Sequence, residues 1–258
     1  MAGSGSTETR ITSAVRLAPP QAAGVRVVIQ AGGRGERLRP LTLMTPKPLL
    51  QIDGVPMVER LVRQLADAGL RHFTVLTAWL GEQVEDFLRG LPGLPHDVDI
   101  SFSREEWGLG TIGGLSRLRP WDGTVVLMFG DLVTRLDFGR LLEVHARSGA
   151  GVTLASHVER HKVRLGEIVT EGEEVVGYRE KPEKEFLICS GIAAFEPFAV
   201  DLLAELPMPL GLGDLVNAAV AHGHRVVHWR HDALWFDVND VGEMERASAA
   251  LRATAARA

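Results

Sequence analysis

The chain has 258 residues, a length that suits one α/β domain and falls short of two average domains. Apolar residues make up 45% of it and charged residues 24%, which is ordinary for a globular protein with a sizeable core and excludes disorder throughout. The net charge of −5 argues against a nucleic-acid-binding protein, because such proteins usually carry a basic face.

Cysteine usage and the lack of long apolar segments indicate the compartment. The single cysteine, Cys189, cannot form an internal disulfide, so the fold needs no oxidising surroundings. Residues 1–23 are rich in Ala, Gly, Ser and Thr without the apolar block of a secretory signal, and we expect a flexible extension there. No apolar run approaches the roughly 18 residues that cross a bilayer. We therefore expect a soluble, cytoplasmic protein with no membrane partner and one main domain at 24–258.

Strands and helices alternate along the first half of the chain. A valine-rich run ends in a glycine cluster, which is typical of a buried strand that feeds a tight loop. Apolar residues at helical spacing follow and stop at Gly69, a natural helix end. Such alternation predicts a mostly parallel sheet. The predicted elements are, in chain order, a strand at 25–29, a helix at 58–68, a strand at 73–77, a helix at 81–88, an extended segment at 98–102, a helix at 110–118 and a strand at 124–129.

The pattern changes after Asp131. Residues 151–195 are predicted to form mainly short strands, broken by Gly, Glu and Pro. This half should extend the sheet and carry an antiparallel ribbon. Its other predicted elements are helices at 138–146, 197–206, 212–221 and 241–252 and strands at 226–229 and 234–238.

Three glycines, Gly32, Gly33 and Gly35, follow the first predicted strand. Glycines let the backbone bend sharply and approach a ligand, and exposed N–H groups in such a turn bind anions such as a triphosphate. A structural turn is the alternative. A P-loop would need Lys and Ser or Thr after its last glycine, where Glu36 and Arg37 stand. A dinucleotide fingerprint would need glycine at Leu38, so a dehydrogenase is disfavoured as well.

Lys47 lies between Pro46 and Pro48. The two prolines predict an extended backbone that excludes helix around this lysine and presents it from a rigid platform. An isolated lysine here would more simply be a solvated loop residue.

The glycine segment and the Pro46-Lys47-Pro48-Leu49 segment together resemble the signature of the sugar 1-phosphate nucleotidyltransferases. Further motifs follow in the family's order over about residues 25 to 250. The resemblance implies a Rossmann-like α/β/α sandwich with a mostly parallel central sheet and an added antiparallel β-ribbon. It also implies a Mg²⁺-dependent reaction in which a nucleoside triphosphate and a sugar 1-phosphate give an NDP-sugar and pyrophosphate, and it leaves a homo-oligomer open.

The resemblance assigns the phosphate and metal site. Ala31 and the three glycines bind the triphosphate, Arg37 stabilises the departing pyrophosphate, and Lys47 contacts phosphate oxygens near the reacting centre. Asp131 and Asp237 hold Mg²⁺. Asp131 follows an apolar strand and should lie at the carboxyl edge of the sheet, where open α/β folds bind ligands. Either aspartate alone has a structural alternative as a turn or capping residue, although Asp240 could cap the last helix instead of Asp237.

The resemblance also assigns the base and the sugar. Glu105, Gly110 and Thr111 are similar to the segment that binds the nucleoside. A base with several N–H donors suits Glu105, which favours GTP slightly and leaves UTP, dTTP and CTP open. On the acceptor side the motifs imply four sugar-phosphate-binding residues, namely Gly166, Glu180, Lys181 and Ser190. The alternatives are a solvated loop acid at Glu105 and a charged turn at Glu180 and Lys181.

Four positions depart from the family's pattern: Gln30 for leucine, Glu36 for a small hydroxylated residue, Cys189 for asparagine and Asn239 for glycine. None removes a charge that the reaction needs. Two other functions stay open, a catalytically silent nucleotide-sugar-binding regulatory subunit and a cytidylyltransferase for a small phosphorylated alcohol. A zinc site at the histidines near the C-terminus, which include His231, is disfavoured, because strand alternation places these side chains on different faces.

Overall fold

The computed structural model describes residues 24–106, 108–118 and 120–256, so the predicted extension at 1–23 lies outside the described residues. The strands are β1 (Arg26–Gln30), β2 (Gln51–Ile52), β3 (Val55–Pro56), β4 (His72–Thr77), β5 (Asp99–Arg104), β6 (Val125–Phe129), β7 (Leu132–Thr134), β8 (Val152–Lys162), β9 (Glu167–Glu171), β10 (Glu174–Arg179), β11 (Glu183–Phe195), β12 (Val226–Arg230) and β13 (Trp235–Asp237). The helices are α1 (Met57–Asp67), α2 (Gly81–Arg89), α3 (Phe138–Ser148), α4 (Phe198–Glu205), α5 (Leu212–Ala221) and α6 (Val241–Ala255).

The central sheet has seven strands in the order β12-β8-β11-β6-β1-β4-β5. Neighbouring strands are parallel except around β11, which is antiparallel to both β6 and β8. The predicted mostly parallel sheet is therefore confirmed. Its carboxyl edge carries the loops that follow β1 and β6, where the glycine segment and Asp131 lie.

Helices cover both faces of this sheet. Alternate residues of β1 enter different cores, because Val27 and Ile29 pack with α1, α2 and α3, whereas Val28 packs with α4 and α5. Both cores consist of fully buried aliphatic and aromatic side chains. The predicted α/β/α sandwich is thereby confirmed.

A third, smaller core lies beneath α6. There Ala247 and Leu251 of the helix pack with Ile52 of the β2–β3 hairpin and with Val133 of β7. The strand β13 pairs with β7, and this pairing places Asp237 opposite Leu132. The C-terminal segment is thus held against the carboxyl edge of the sheet, next to Asp131.

The structure differs from the sequence prediction in two segments. The predicted helix at 110–118 is a 3₁₀ turn over Gly113–Arg117, because Gly110 has a positive φ of 84° and forms a bridge with Leu210 instead. The predicted short strands at 151–195 include two long ones, β8 and β11 with 11 and 13 residues, which form an antiparallel ribbon. The pair β9–β10 forms the second antiparallel ribbon. No helix in the described ranges is long and apolar enough to cross a membrane.

Candidate active site

Lys47 is the centre of a group of polar side chains at the carboxyl edge of the sheet. We call this the Lys47 group; it contains Lys47, Asp131, Asn239 and the adjoining Asp237. Its ammonium donates to Asp131 Oδ2 at 2.5 Å and to Asn239 Oδ1 at 2.9 Å. The side chain is only 9% exposed. The structure therefore joins residues from three distant parts of the chain around one cation.

The backbone at Lys47 differs from the predicted one. Pro46 is extended, as expected, but Lys47 begins a 3₁₀ turn over Lys47–Leu49. The prediction that both prolines exclude helix was wrong, because Pro48 stands in the first turn, where a backbone N–H has no helical partner to lose. Gly35, with φ of 60°, packs beside this turn, and a Cβ there would lie 2.7 Å from Thr42 Cγ2.

Two carboxylates adjoin this lysine. Asp131 follows β6 directly, and its carbonyl oxygen accepts a hydrogen bond from the N–H of Val238 at 3.2 Å. Burial raises the pKa of Asp237, and the nearby Asp131 charge raises it further, while a hydrogen bond from Asn239 and the Lys47 charge oppose the rise. Asp240 caps α6 by accepting from the N–H of Glu243 at 2.8 Å, which leaves Asp237 free of that structural role.

The chemistry of this donor set fits Mg²⁺. The ion binds through one or two carboxylates and completes its octahedron with water and phosphate oxygens. Asp131 and Asp237 provide two such carboxylates, whose mutual repulsion a divalent cation would relieve. The described residues hold no cluster of three or more His, Cys, Asp or Glu side chains around one point, so substrate and water oxygens would have to complete the shell.

The glycine segment offers backbone amides on the same side. Gly33 faces open space, and the N–H groups of Gly32, Gly33 and Gly35 donate to no backbone acceptor among the described residues. Ala31 differs from them, because it is buried and its N–H donates to the Leu76 carbonyl at 2.8 Å. Arg37 is exposed and makes no ion pair within the described ranges.

Glu105 lies against this glycine segment. Its Oε2 accepts from Gln30 Nε2 at 2.6 Å, and a Cβ on Gly32 would lie 3.2 Å from the same oxygen. Burial raises the pKa of Glu105. Gly114 leaves room for this carboxylate, since a Cβ on it would fall 1.7 Å from Glu105 Oε1. The structure thus brings the predicted base-binding acid next to the predicted phosphate loop.

Gly110 and Thr111 have a different neighbour. A Cβ on Gly110 would lie 2.3 Å from the Leu210 carbonyl oxygen, so close packing of two backbones already requires this glycine. Thr111 is exposed beside Gly211.

Three of the predicted acceptor-binding residues lie in the loops that join the ribbon strands, Gly166 between β8 and β9 and Glu180 and Lys181 between β10 and β11. A Cβ on Gly166 would fall 1.8 Å from the Tyr178 hydroxyl, which itself donates to Glu180 Oε2 at 3.1 Å. Lys181 has φ of 43°, a conformation that residues other than glycine rarely adopt. Among the described residues, no hydrogen bond or ion pair joins these side chains to the Lys47 group.

Ser190, the fourth, is fully buried. Its hydroxyl lies 2.8 Å from His157 Nδ1 and 2.8 Å from His231 Nε2. Its role toward a ligand would have to pass through His157.

A pocket of about 370 Å³ opens beside Asp237 and Asn239. Of the residues that line this pocket, only Asp237 was predicted from the sequence as a site residue. The only signal for any of the other lining residues was the departure from the family's pattern at Asn239. The pocket is lined by His157, Glu159, Trp235, Phe236, Asp237, Asn239, Glu243 and Arg246.

Comparison with known proteins identifies the family of the chain. The model of the family described as nucleotidyl transferase matches residues 26–254. The N-acetylmuramate alpha-1-phosphate uridylyltransferase of Neisseria meningitidis is 30% identical over 239 residues, which cover 87% of this chain and 97% of that one. The mannose-1-phosphate guanylyltransferase of Mycobacterium tuberculosis is also 30% identical, over 88% of this chain but 64% of that longer protein.

The fold has a solved counterpart. The crystal structure of a candidate glucose-1-phosphate thymidylyltransferase from Bacillus anthracis superimposes with a TM-score of 0.72 and 22% identity, covering 88% of this chain and 95% of that one. The chain therefore belongs to the nucleotidyl transferase family, within its sugar 1-phosphate nucleotidyltransferases.

Proposed function

We propose that the protein transfers a nucleoside monophosphate from a nucleoside triphosphate to the phosphate of a sugar 1-phosphate, with Mg²⁺ as cofactor and pyrophosphate as second product. The observation that carries this proposal is the Lys47 group, in which one buried ammonium holds Asp131 and Asn239 beside Asp237. A cation, two carboxylates and free loop amides at one edge suit two polyanionic substrates.

The reaction needs positioning and charge neutralisation. A phosphate oxygen of the acceptor attacks the α-phosphorus, the bond from this phosphorus to the bridging oxygen breaks, and pyrophosphate leaves with the electron pair. The acceptor is already anionic, so no general base is required. The loop amides of Gly32, Gly33 and Gly35 would offset the charge on the triphosphate, and Arg37 that on the leaving pyrophosphate. Mg²⁺ bound by Asp131 and Asp237 would neutralise further phosphate charge.

The base is proposed to be guanine. Glu105 and Gln30 form a hydrogen-bonded pair next to the phosphate loop, and Gln30 Oε1 is buried without a partner among the described residues. Acceptor oxygens at this position suit a base with several N–H donors, and guanine offers more of these than uracil or thymine. The names of the relatives include both uridylyl- and guanylyltransferases, so a comparison of GTP with UTP, dTTP and CTP is the informative one.

The acceptor is proposed to be a hexose or heptose 1-phosphate. Relatives are named for N-acetylmuramate, mannose and heptose 1-phosphates. Glu180 and Lys181, in the loop between β10 and β11, are proposed to contact its hydroxyls and phosphate, with Gly166 allowing the approach. A cytoplasmic location is proposed with this function, since the chain has a single cysteine.

The test is a pyrophosphate-release assay of five nucleoside triphosphates against phosphocholine and a panel of sugar 1-phosphates, with Mg²⁺ or with a chelator. We expect turnover with GTP and a hexose or heptose 1-phosphate, and its loss with the chelator. No turnover with any pair would favour a silent binding subunit. Turnover only with CTP and phosphocholine would favour a small-alcohol cytidylyltransferase.

Variants of the Lys47 group test the mechanism. Lys47→Ala and Asp131→Ala should each lower kcat by about 100-fold or more, because each removes a fixed charge beside the reacting phosphates. Lys162→Ala, at an exposed ribbon end, is the matched control and should keep the wild-type rate. Near-normal kcat in a folded Lys47→Ala or Asp131→Ala protein would remove that residue from the mechanism.

A further inference from the structure

A connected row of polar side chains runs from His231, directly after β12, onto one face of the β8–β11 ribbon, and the mechanism above does not use it. We call His231, Ser190, His157, Glu159 and His161 the histidine row. His157 Nε2 lies 3.3 Å from Glu159 Oε1, and His161 Nε2 lies 2.7 Å from Glu159 Oε2. The side chains of residues 157, 159 and 161 point to the same face because alternate strand residues do so.

The buried end of the row fixes His157. A hydroxyl carries one proton, so Ser190 donates to one imidazole and accepts from the other. The ring of His157 also packs on Trp235, with ring centroids 4.3 Å apart, and Trp235 Nε1 donates to the Ser190 carbonyl at 2.8 Å. His157 is therefore held from two sides before any ligand arrives.

The open end of the row faces the pocket beside Asp237. Both His157 and Glu159 line this pocket, and the Glu159 side chain is 36% exposed. A carboxylate has about four lone-pair positions, and the two imidazoles use two of them. Asn239 and Asp237 belong both to the pocket and to the Lys47 group. A ligand in this pocket would thus meet phosphate-binding groups at one end and hydroxyl-binding groups at the other.

We propose that Glu159 binds the ring hydroxyls of the acceptor sugar, and that His157 and Ser190 are positioning residues, because Ser190 holds His157 and His157 holds Glu159. This inference rests on the proposed function and adds to it, because neither His157 nor Glu159 belongs to the motifs that indicated the family. Trp235, next to His157, offers an aromatic surface to the C–H groups of the same sugar.

The first test compares Glu159→Gln with Glu185→Gln. Glu185 is the matched control because it pairs with Arg160, which points to the opposite face of β8. With the best substrate pair, Glu159→Gln should raise KM for the sugar 1-phosphate by about tenfold or more and leave KM for the triphosphate unchanged, since it weakens a charge-assisted hydrogen bond to the acceptor only. Glu185→Gln should keep both values.

The second test uses acceptors that each lack one hydroxyl. The wild-type enzyme should show a higher KM for one deoxy sugar 1-phosphate, and Glu159→Gln should lose this discrimination. Ser190→Ala should raise KM for the acceptor by a smaller factor, about threefold, because it frees the His157 ring. If Ser190→Ala fails to fold, His161→Ala, which removes an exposed partner of Glu159, should give the same smaller effect.

The outcomes separate the two claims. Wild-type turnover combined with an unchanged acceptor KM and unchanged deoxy-sugar discrimination in Glu159→Gln would overturn this inference alone. An equal rise in Glu185→Gln would overturn it too. No wild-type turnover with any substrate pair would overturn the proposed function and this inference with it.

Discussion

At the scale of single residues, two departures from the family's pattern supply contacts at the candidate site. Gln30 donates to Glu105, and Asn239 accepts from Lys47. In the sequence both positions counted only as substitutions that remove no necessary charge. The structure gives them polar partners, which a leucine or a glycine side chain cannot provide. Both departures therefore provide side-chain contacts at the candidate site that the usual family residues would not make.

Asn239 offers a direct test of this view. Asn239→Ala removes the acceptor from Lys47 and the hydrogen bond to Asp237, so both charged groups lose a fixed orientation. We expect kcat to fall about tenfold, the effect of one lost hydrogen bond to a charged group, with KM for both substrates changed less.

Steady-state kinetics provides the measurement. Asn217→Ala, on the exposed side of α5, is the matched control for the loss of an amide. A kcat for Asn239→Ala within twofold of that control would show that the Lys47–Asp131 ion pair keeps its geometry without Asn239.

At the scale of elements, the sequence predicted the buried strands and amphipathic helices well. The predicted helix at 212–221 has the observed bounds, and the helix predicted at 58–68 is shifted by one residue from Met57–Asp67. Each of these elements buries one face or both, so its apolar residues recur at a regular spacing that the sequence shows. The missed elements were β7 and the β2–β3 hairpin, each only two or three residues per strand, which is too short to show a period.

The antiparallel ribbon was predicted, but the length of its strands could not be, because its outer half is exposed on both faces. Residues 183–187 of β11 are all exposed, so neither alternation nor an apolar run marks them as a strand. Register matters equally, because the irregularity between Cys189 and Ala193 decides which side chains of β11 face β13. The convergence of Lys47, Asp131 and Asp237 was implied by the resemblance to the family, and for Asp131 also by its place at the carboxyl edge of the sheet. The histidine row, in contrast, depends on this register.

Helix α6 carries its own prediction. Asp240 caps its first turn, and the helix packs over β2 and supports the segment that bears Asp237 and Asn239. Asp240→Ala should lower the free energy of unfolding by about 1 kcal/mol, because the N–H of Glu243 loses its acceptor.

Urea denaturation at constant pH gives this free energy. Asp240→Asn keeps an oxygen acceptor at the cap and should stay within a few tenths of a kcal/mol of the wild type. Equal losses in both variants would mean that the charge of Asp240, and not its capping bond, stabilises the helix.

At the scale of the whole molecule, the two proposed substrate sites belong to different parts of the sheet. The nucleotide side consists of loops after β1 and β5, and both strands lie in the wholly parallel part. The acceptor side consists of β8, β11 and β13, around the one antiparallel strand of the central sheet. The Lys47 group lies where these parts meet, since Asp131 follows β6, the common neighbour of β1 and β11. If both proposals hold, the fold brings the two anionic substrates together from opposite sides of β6.

The histidine row also links the stability of the whole molecule to pH. Burial lowers the pKa of His231 from 6.5 to about 4, and the nearby His157 adds to this effect. Between these values the unfolded chain binds a proton that the folded chain does not, so this histidine leaves the free energy of unfolding unchanged above about pH 6.5 and lowers it as pH falls toward 4. We expect a loss of about 1 to 3 kcal/mol over this window.

His231→Gln cannot bind this proton, so its free energy of unfolding, measured in urea from pH 7.5 to 4.5, should fall less than that of the wild type. His96→Gln, the same change at an exposed histidine, is the control. Parallel pH curves for His231→Gln and the wild type would contradict the prediction.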